Sequence, residues 1–225
     1  MLTLALTLVS GGALAEMRIG AVVERDYTGA LGQRAGQEGT ERLFYNHAVY
    51  SEQQVKTGRD ATTRLRFLDS TELTVAGNSS VALDRFVYDP NSGAGEAALT
   101  FGKGAFRFVT GKMRTKEAVV LQTPTATIAI RGTHLVLNVR SDGSTELGVI
   151  EGAVLVRPCG NVPPVEVAQG STILIAAGCE PPLVRSGYNI PPQLQYFDNY
   201  PEKQRRGDGG KDTRDGGDKG GRGNG

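Results

Sequence analysis

The chain has 225 residues, enough for one larger domain or two small ones with a real core. Its 25 Lys+Arg and 24 Asp+Glu leave a net charge of +1, without the basic excess that a phosphate backbone demands, so nucleic-acid binding is not expected. Two His and two Cys give most zinc sites and His-dependent mechanisms few candidate residues.

Residues Met1 to Ala15 read MLTLALTLVSGGALA, a short apolar run ending in Ala13-Leu14-Ala15. This is the h-region and A-x-A pattern of a secretory signal peptide, with cleavage after Ala15 and Glu16 as the first mature residue. The usual basic n-region is absent, and a buried strand or helix is the competing reading. No other stretch approaches the roughly 18 apolar residues of a membrane span. The mature chain, residues 16–201 plus a tail, is therefore expected to be exported and soluble, with no transmembrane segment.

Strand signals follow one another along the body. The first is Arg18 to Val23. Arg64-Leu65-Arg66-Phe67 places its apolar residues on one face with period two, and Glu72-Leu73-Thr74-Val75 repeats the pattern after the Asp69-Ser70 turn, which predicts a hairpin. Ser80 to Asp84, Ala105 to Val109, Val119 to Leu121, Thr127 to Ile130 and Leu135 to Val139 are the next candidates, and Gly102-Lys103-Gly104 reads as a hairpin turn. Asp142-Gly143 supplies the positive-φ turn that hairpins prefer, before Thr145 to Ile150 and Ala153 to Val156. Gly104-Ala105 and Gly152-Ala153 each open a strand, a weak internal echo about 48 residues apart. A short helix is expected near Gln193 to Tyr196. Many short strands punctuated by Gly and Asp predict an all-β fold, a single β-roll or β-sandwich-like domain of stacked hairpins.

Cys159 and Cys179 are the only cysteines, and an oxidising compartment favours pairing them. A bridge would close a hairpin-like element containing Val165-Glu166-Val167 and Thr172-Ile173-Leu174-Ile175; two separate buried thiols are the alternative. The Pro-rich stretch from Pro181 to Pro192 reads as an irregular strap. Residues 202–225 carry seven basic and five acidic residues among many glycines and no large apolar residue. Such a segment cannot offset its ordering entropy and is expected to be a disordered polyampholyte. Its Arg206-Gly207-Asp208 tripeptide is read as compositional.

Between Leu43 and Val156 the residues resemble a known family. The pieces are Val55-Lys56-Thr57-Gly58, Arg64-Leu65-Arg66-Phe67, Leu73-Thr74-Val75, Leu83-Asp84-Arg85-Phe86-Val87-Tyr88-Asp89 and Gly104-Ala105-Phe106-Arg107-Phe108. The most specific is the run Thr123-Pro124-Thr125-Ala126-Thr127-Ile128-Ala129-Ile130-Arg131-Gly132-Thr133, followed by Glu151-Gly152-Ala153-Val154. In this order and spacing they resemble the FecR domain, as found in stand-alone, exported proteobacterial members. Ser70 stands where that family favours Gly, and Leu135 where an aromatic is common. The resemblance implies a periplasmic or secreted bacterial β-rich module. In the regulator that names the family, such a domain takes a signal from an outer-membrane transporter and passes it through a membrane helix, which this sequence lacks.

Arg131-Gly132-Thr133 is the candidate binding or structural turn: Gly132 permits a sharp reversal, and Arg131 could clamp a carboxylate. The structural reading, with Arg131 paired to Asp84 or Glu151, is favoured. His134 is expected to lead a strand and face solvent rather than act as a base. Asp84, Asp89 and Glu96 read as scattered surface acids, not an acid/base pair. There is no nucleophile elbow around Ser79-Ser80, no phosphate loop and no calcium loop, so no enzyme, metal or cofactor is called for. The expected function is recognition of an envelope protein or other envelope component, with self-association as a structural protein the alternative.

Overall fold

The computed structural model describes residues 17–23, 29–115 and 119–198. The proposed signal peptide with Ala15 and the tail with its Arg206-Gly207-Asp208 lie outside the described residues. In chain order the strands are β1 (Arg18–Val22), β2 (Ala30–Gln33), β3 (Glu41–Leu43), β4 (Ala48–Tyr50), β5 (Gln53–Thr57), β6 (Thr63–Phe67), β7 (Glu72–Val75) and β8 (Ser80–Tyr88). They continue with β9 (Gly95–Phe101), β10 (Gly104–Val109), β11 (Val119–Thr123), β12 (Ala126–Val139), β13 (Thr145–Pro158), β14 (Val165–Ala168), β15 (Ser171–Ile175) and β16 (Leu183–Ser186), before one helix, α1 (Pro192–Asp198).

All the strands belong to one 16-stranded sheet, so the fold is all-β, and the sheet is curled. Its spine is the long β12–β13 hairpin, reversed at Gly143 with φ +88°. Each strand of the hairpin serves two arms. Residues 126–130 of β12 pair with β11, while 134–139 pair with β10. Residues 153–156 of β13 pair with β14, while 145–148 pair with β15. One arm therefore runs β3-β2-β5-β8-β9-β11 up to the hairpin and ends at β14. The other runs β4-β1-β6-β7-β10 and ends at β15-β16.

The hairpin is bent double between the arms. Thr145 Oγ1, from one end, meets Thr125 Oγ1 at 2.8 Å and Thr123 Oγ1 at 3.0 Å, from the other. Folding the ribbon over sets the arms face to face, and period-two alternation fills the space between them. Phe101 of β9 meets Phe106 of β10 edge-on at 4.7 Å between centroids, and Phe67 of β6 stacks on Phe86 of β8 at 5.1 Å. Leu65, Leu73, Leu121, Ile128, Ile130 and Leu135 are almost fully enclosed in the same core. At about 25 cal/mol per Å² of apolar surface removed from water, each such side chain contributes about 1.5–3 kcal/mol. A second, smaller cluster on the outer face packs Leu194 of α1 against Ala76, Ala105 and Val136.

The β6–β7 hairpin forms as expected, with Leu65 and Phe67 buried. Four expectations need correction. Gly102-Lys103-Gly104 is a crossover between arms, because β9 and β10 do not pair with each other. The two segments at 127–130 and 135–139 are one strand, and so are those at 145–150 and 153–156. Cys159 and Cys179 are joined, with Cα atoms 5.3 Å apart, but they do not close a hairpin: β14 and β15 pair with opposite halves of β13, not with each other. The Pro-rich strap contains a strand, β16, laid along β15.

Candidate functional site

The Arg131-Gly132-Thr133 turn lies at the fold of the ribbon. Arg131 is still in register with Ala153, but the ladder then slips, and His134 faces Glu151. The slip is a bulge that both strands share: Gly132 has φ +60° and Gly152 has φ +82°. Both values lie in the left-handed region, where only glycine sits without strain. Gly132 opens to solvent, with nothing within 4 Å of where a Cβ would stand, whereas a Cβ on Gly152 would press against the Gly132 carbonyl.

Thr133 locks the bend from inside. It is buried, and its Oγ1 donates to the Ala153 carbonyl at 3.2 Å. Its N–H donates to Thr110 Oγ1 at 2.9 Å, and its carbonyl accepts from the Thr110 N–H and hydroxyl. Every hydrogen-bonding group of this threonine is thus used inside the fold. Arg131 is placed here by its backbone; its side chain, and hence its pairing with Asp84 or Glu151, lies outside what is described. The neighbouring His134 is half-buried rather than solvent-facing. Its Nε2 accepts from Arg107 Nε at 2.7 Å, which occupies the lone pair a general base would use.

The structure does not bring the candidate acids together. Asp84 accepts the Thr100 hydroxyl at 2.7 Å, and Glu96 pairs with Arg85. Asp89 caps its own turn, accepting from the Ser92 hydroxyl at 2.6 Å and the Asn91 N–H at 2.9 Å, and these bonds hold its pKa below the usual aspartate value. Ser79 is buried and structural: its Oγ donates to the Gly77 carbonyl and accepts from the Ala105 N–H. Among the described residues no three His, Cys, Asp or Glu side chains gather as a metal set.

One concavity was not anticipated from sequence. A cleft of about 240 Å³ lies where the 189–193 segment arches over the outer face of β12, β13 and β15. Asn138, Glu146, Thr172 and Gln193 line it, and Arg140 spans to Glu146 at 2.8 Å across its wall. The lining polar residues alternate on outward-facing positions of β12 and β13, but their convergence depends on a register that no short motif encodes. The cleft has neither a nucleophile–base pair nor a buried charge. It offers hydrogen-bonding surface rather than a reaction centre.

Comparison with known proteins gives the middle of the chain a family match. The FecR protein family model matches residues 53–155, from the first residue of β5 through the bent ribbon. No curated protein matches the chain. Among solved structures, a crystal structure described as a "putative anti-sigma factor" from Parabacteroides distasonis is similar in fold, with a TM-score of 0.50 at 13% identity. The likeness covers 64% of this chain and 62% of that one, so the chain spans under two thirds of that protein's length. A second crystal structure of the same description gives a TM-score of 0.48 at the same identity and coverage. Residues 53–155, which hold β5 to β12, most of β13 and the Arg131-Gly132-Thr133 corner, carry the FecR domain match.

Proposed function

We propose that this chain is a non-catalytic, extracytoplasmic recognition module that binds an envelope protein through its β-domain and serves a signalling system. The observation that carries the reading is the FecR match across both arms and the corner. The fold likeness to a protein described as a "putative anti-sigma factor" points the same way. A disulfide at the rim of the sandwich suits an oxidising compartment. Among the described residues no helix is long and apolar enough to cross a membrane. The committed hydrogen bonds of Thr133, His134 and Ser79 favour a rigid scaffold over a reaction centre.

The test is cross-linking of the purified protein, with and without residues 202–225, in envelope extract of the source organism, with captured chains identified by mass spectrometry. Capture of one membrane sensor or transporter by both forms supports the reading. Hydrolytic or transfer activity abolished by a single Asp or His substitution contradicts it. Self-association is the second reading, and one feature of the sheet favours it specifically: the exposed edge at β16.

A further inference from the structure

The sheet ends on the β15 side at β16, whose residues Leu183, Val184, Arg185 and Ser186 are all exposed. Leu183 and Val184 keep 47% and 45% of their surface in water, unusually open for two adjacent apolar strand residues. Of the other edges, β3 carries Glu41 and Arg42 and β14 carries Glu166, while β4 (Ala48–Tyr50) carries no charge but does not expose two adjacent apolar side chains.

The direction of the β16 main chain follows from its pairing with β15. Gly187 N–H donates to the Gly170 carbonyl at 2.6 Å, just beyond the strand pair. In an antiparallel ladder the hydrogen-bonded pairs recur every second residue, so Arg185 (opposite Thr172) and Leu183 (opposite Leu174) also turn their N–H and C=O toward β15. Val184 and Ser186 consequently turn theirs outward, toward a strand position that is vacant among the described residues. The side chain of Val184 shares a face with its register partner Ile173, which is fully buried in the core. Leu183 and Arg185 lie on the opposite, outer face.

We propose that β16 is the contact through which two copies of this chain pair edge to edge, antiparallel about a two-fold axis at Val184. The register follows from two requirements. Outward main-chain groups must meet outward main-chain groups, and core-side residues must meet core-side residues. Val184 can therefore lie opposite Ser186 or opposite Val184 of the second copy. The first arrangement sets Arg185 directly opposite Arg185, two like charges at the closest cross-strand spacing, which opposes pairing. The second sets Arg185 opposite Leu183, its aliphatic stem on an apolar neighbour and its guanidinium in water.

The second arrangement also brings the Ser186 N–H to the carbonyl of Pro182 in the second copy. Proline there can accept a hydrogen bond but has no N–H to lose. A net charge of +1 sets no long-range repulsion between copies. Four residues a side form a small contact, below the roughly 1,200 Å² of a standard stable interface, so the dimer is reversible and dissolves on dilution. This inference is independent of what the β-domain recognises.

Sedimentation velocity of the full mature chain across a concentration series tests it, with far-UV circular dichroism as the folding control. The wild type is expected to show a reversible monomer–dimer equilibrium. Val184→Pro removes an N–H that β15 does not use and should lose the dimer while keeping the sheet signal. Leu183→Glu tests the register separately: it places a carboxylate opposite Arg185 of the second copy, so the dimer should persist and become salt-sensitive. Leu183→Glu combined with Arg185→Glu sets like charges opposite each other and should abolish it. A wild type that stays monomeric at every concentration would overturn the proposal, as would a dimer that survives Val184→Pro. Loss of the dimer in Leu183→Glu alone would overturn the register. Protection of the Val184 amide only when another envelope protein is added would give the edge to that protein instead.

Discussion

A Cβ placed on Gly152 would stand 2.7 Å from the carbonyl oxygen of Gly132. Real Cβ atoms do not approach backbone so closely, and the contact lies where the β12–β13 ribbon folds over. The two glycines share the left-handed backbone but not the crowding, since nothing lies within 4 Å of a Cβ on Gly132. Gly132→Ala is therefore expected to cost about 1 kcal/mol, the strain of the left-handed conformation alone. Gly152→Ala adds a backbone collision and should cost more than about 2 kcal/mol. Chemical denaturation of both variants checks the order; equal losses would show that the corner is not held by this contact.

Ser70 occupies the turn between β6 and β7 with φ +71°, and its side chain is exposed. The departure from the family's preference for glycine thus carries a local strain. Ser70→Gly should stabilise the protein by about 0.5–1 kcal/mol, the relief of a left-handed non-glycine residue less the added freedom of the unfolded chain. The urea midpoint reads this directly. A destabilised variant would mean that the serine does more for the turn than its backbone shape implies.

Where burial alternated with apolar chemistry, the strands were legible. Leu65 and Phe67 in β6 and the Asp142-Gly143 turn before β13 announced themselves by period and by turn residues. Between residues 24 and 63 no apolar period marks a strand, although β2 to β5 lie there. In β5 the inward residues are Gln53, Val55 and Thr57, so two of three buried positions are polar and the apolar period disappears. Gln53 is nonetheless fully buried, its Oε1 accepting from the Tyr50 N–H at 3.0 Å. β16 escaped for the opposite reason: all four residues are exposed, so no burial pattern marks them. At the corner, Gly132 was singled out from its motif. Its partnership with Gly152 depends on the register of two long strands, which local sequence does not carry.

The disulfide joins the chain just after β13 to the chain just after β15, so it holds the rim of the sandwich. Its two cysteines are 20 residues apart in sequence, for which loop closure is worth on the order of 3 kcal/mol in the chain-entropy model. The Cys159→Ser and Cys179→Ser double variant should lose about that much stability and become indifferent to reductant. Thermal unfolding with and without dithiothreitol measures both. An unchanged midpoint would mean that the Thr123, Thr125 and Thr145 contacts alone keep the ends of the ribbon together.

Asp89 has its pKa lowered from 3.8, first by the Ser92 hydroxyl and then by the Asn91 N–H. A folded pKa below the unfolded one gives stability that is present above the unfolded value and lost as pH falls through the folded value. The contribution is small because the carboxylate is exposed. Ser92→Ala removes the larger cause, so its urea midpoint should fall less than that of the wild type as pH drops from above the ordinary aspartate value through this titration. A larger fall in the variant would contradict the assignment.

The proposed function places recognition in the β-domain. The most direct measurement is calorimetric titration of the captured envelope protein with the mature chain, with the chain truncated before residue 202, and with a peptide of residues 202–225. Truncation is expected to leave the affinity within about twofold, a difference under about 0.5 kcal/mol, and the peptide to give no heat of binding. Binding by the peptide together with its loss on truncation would place the recognition site in the tail instead.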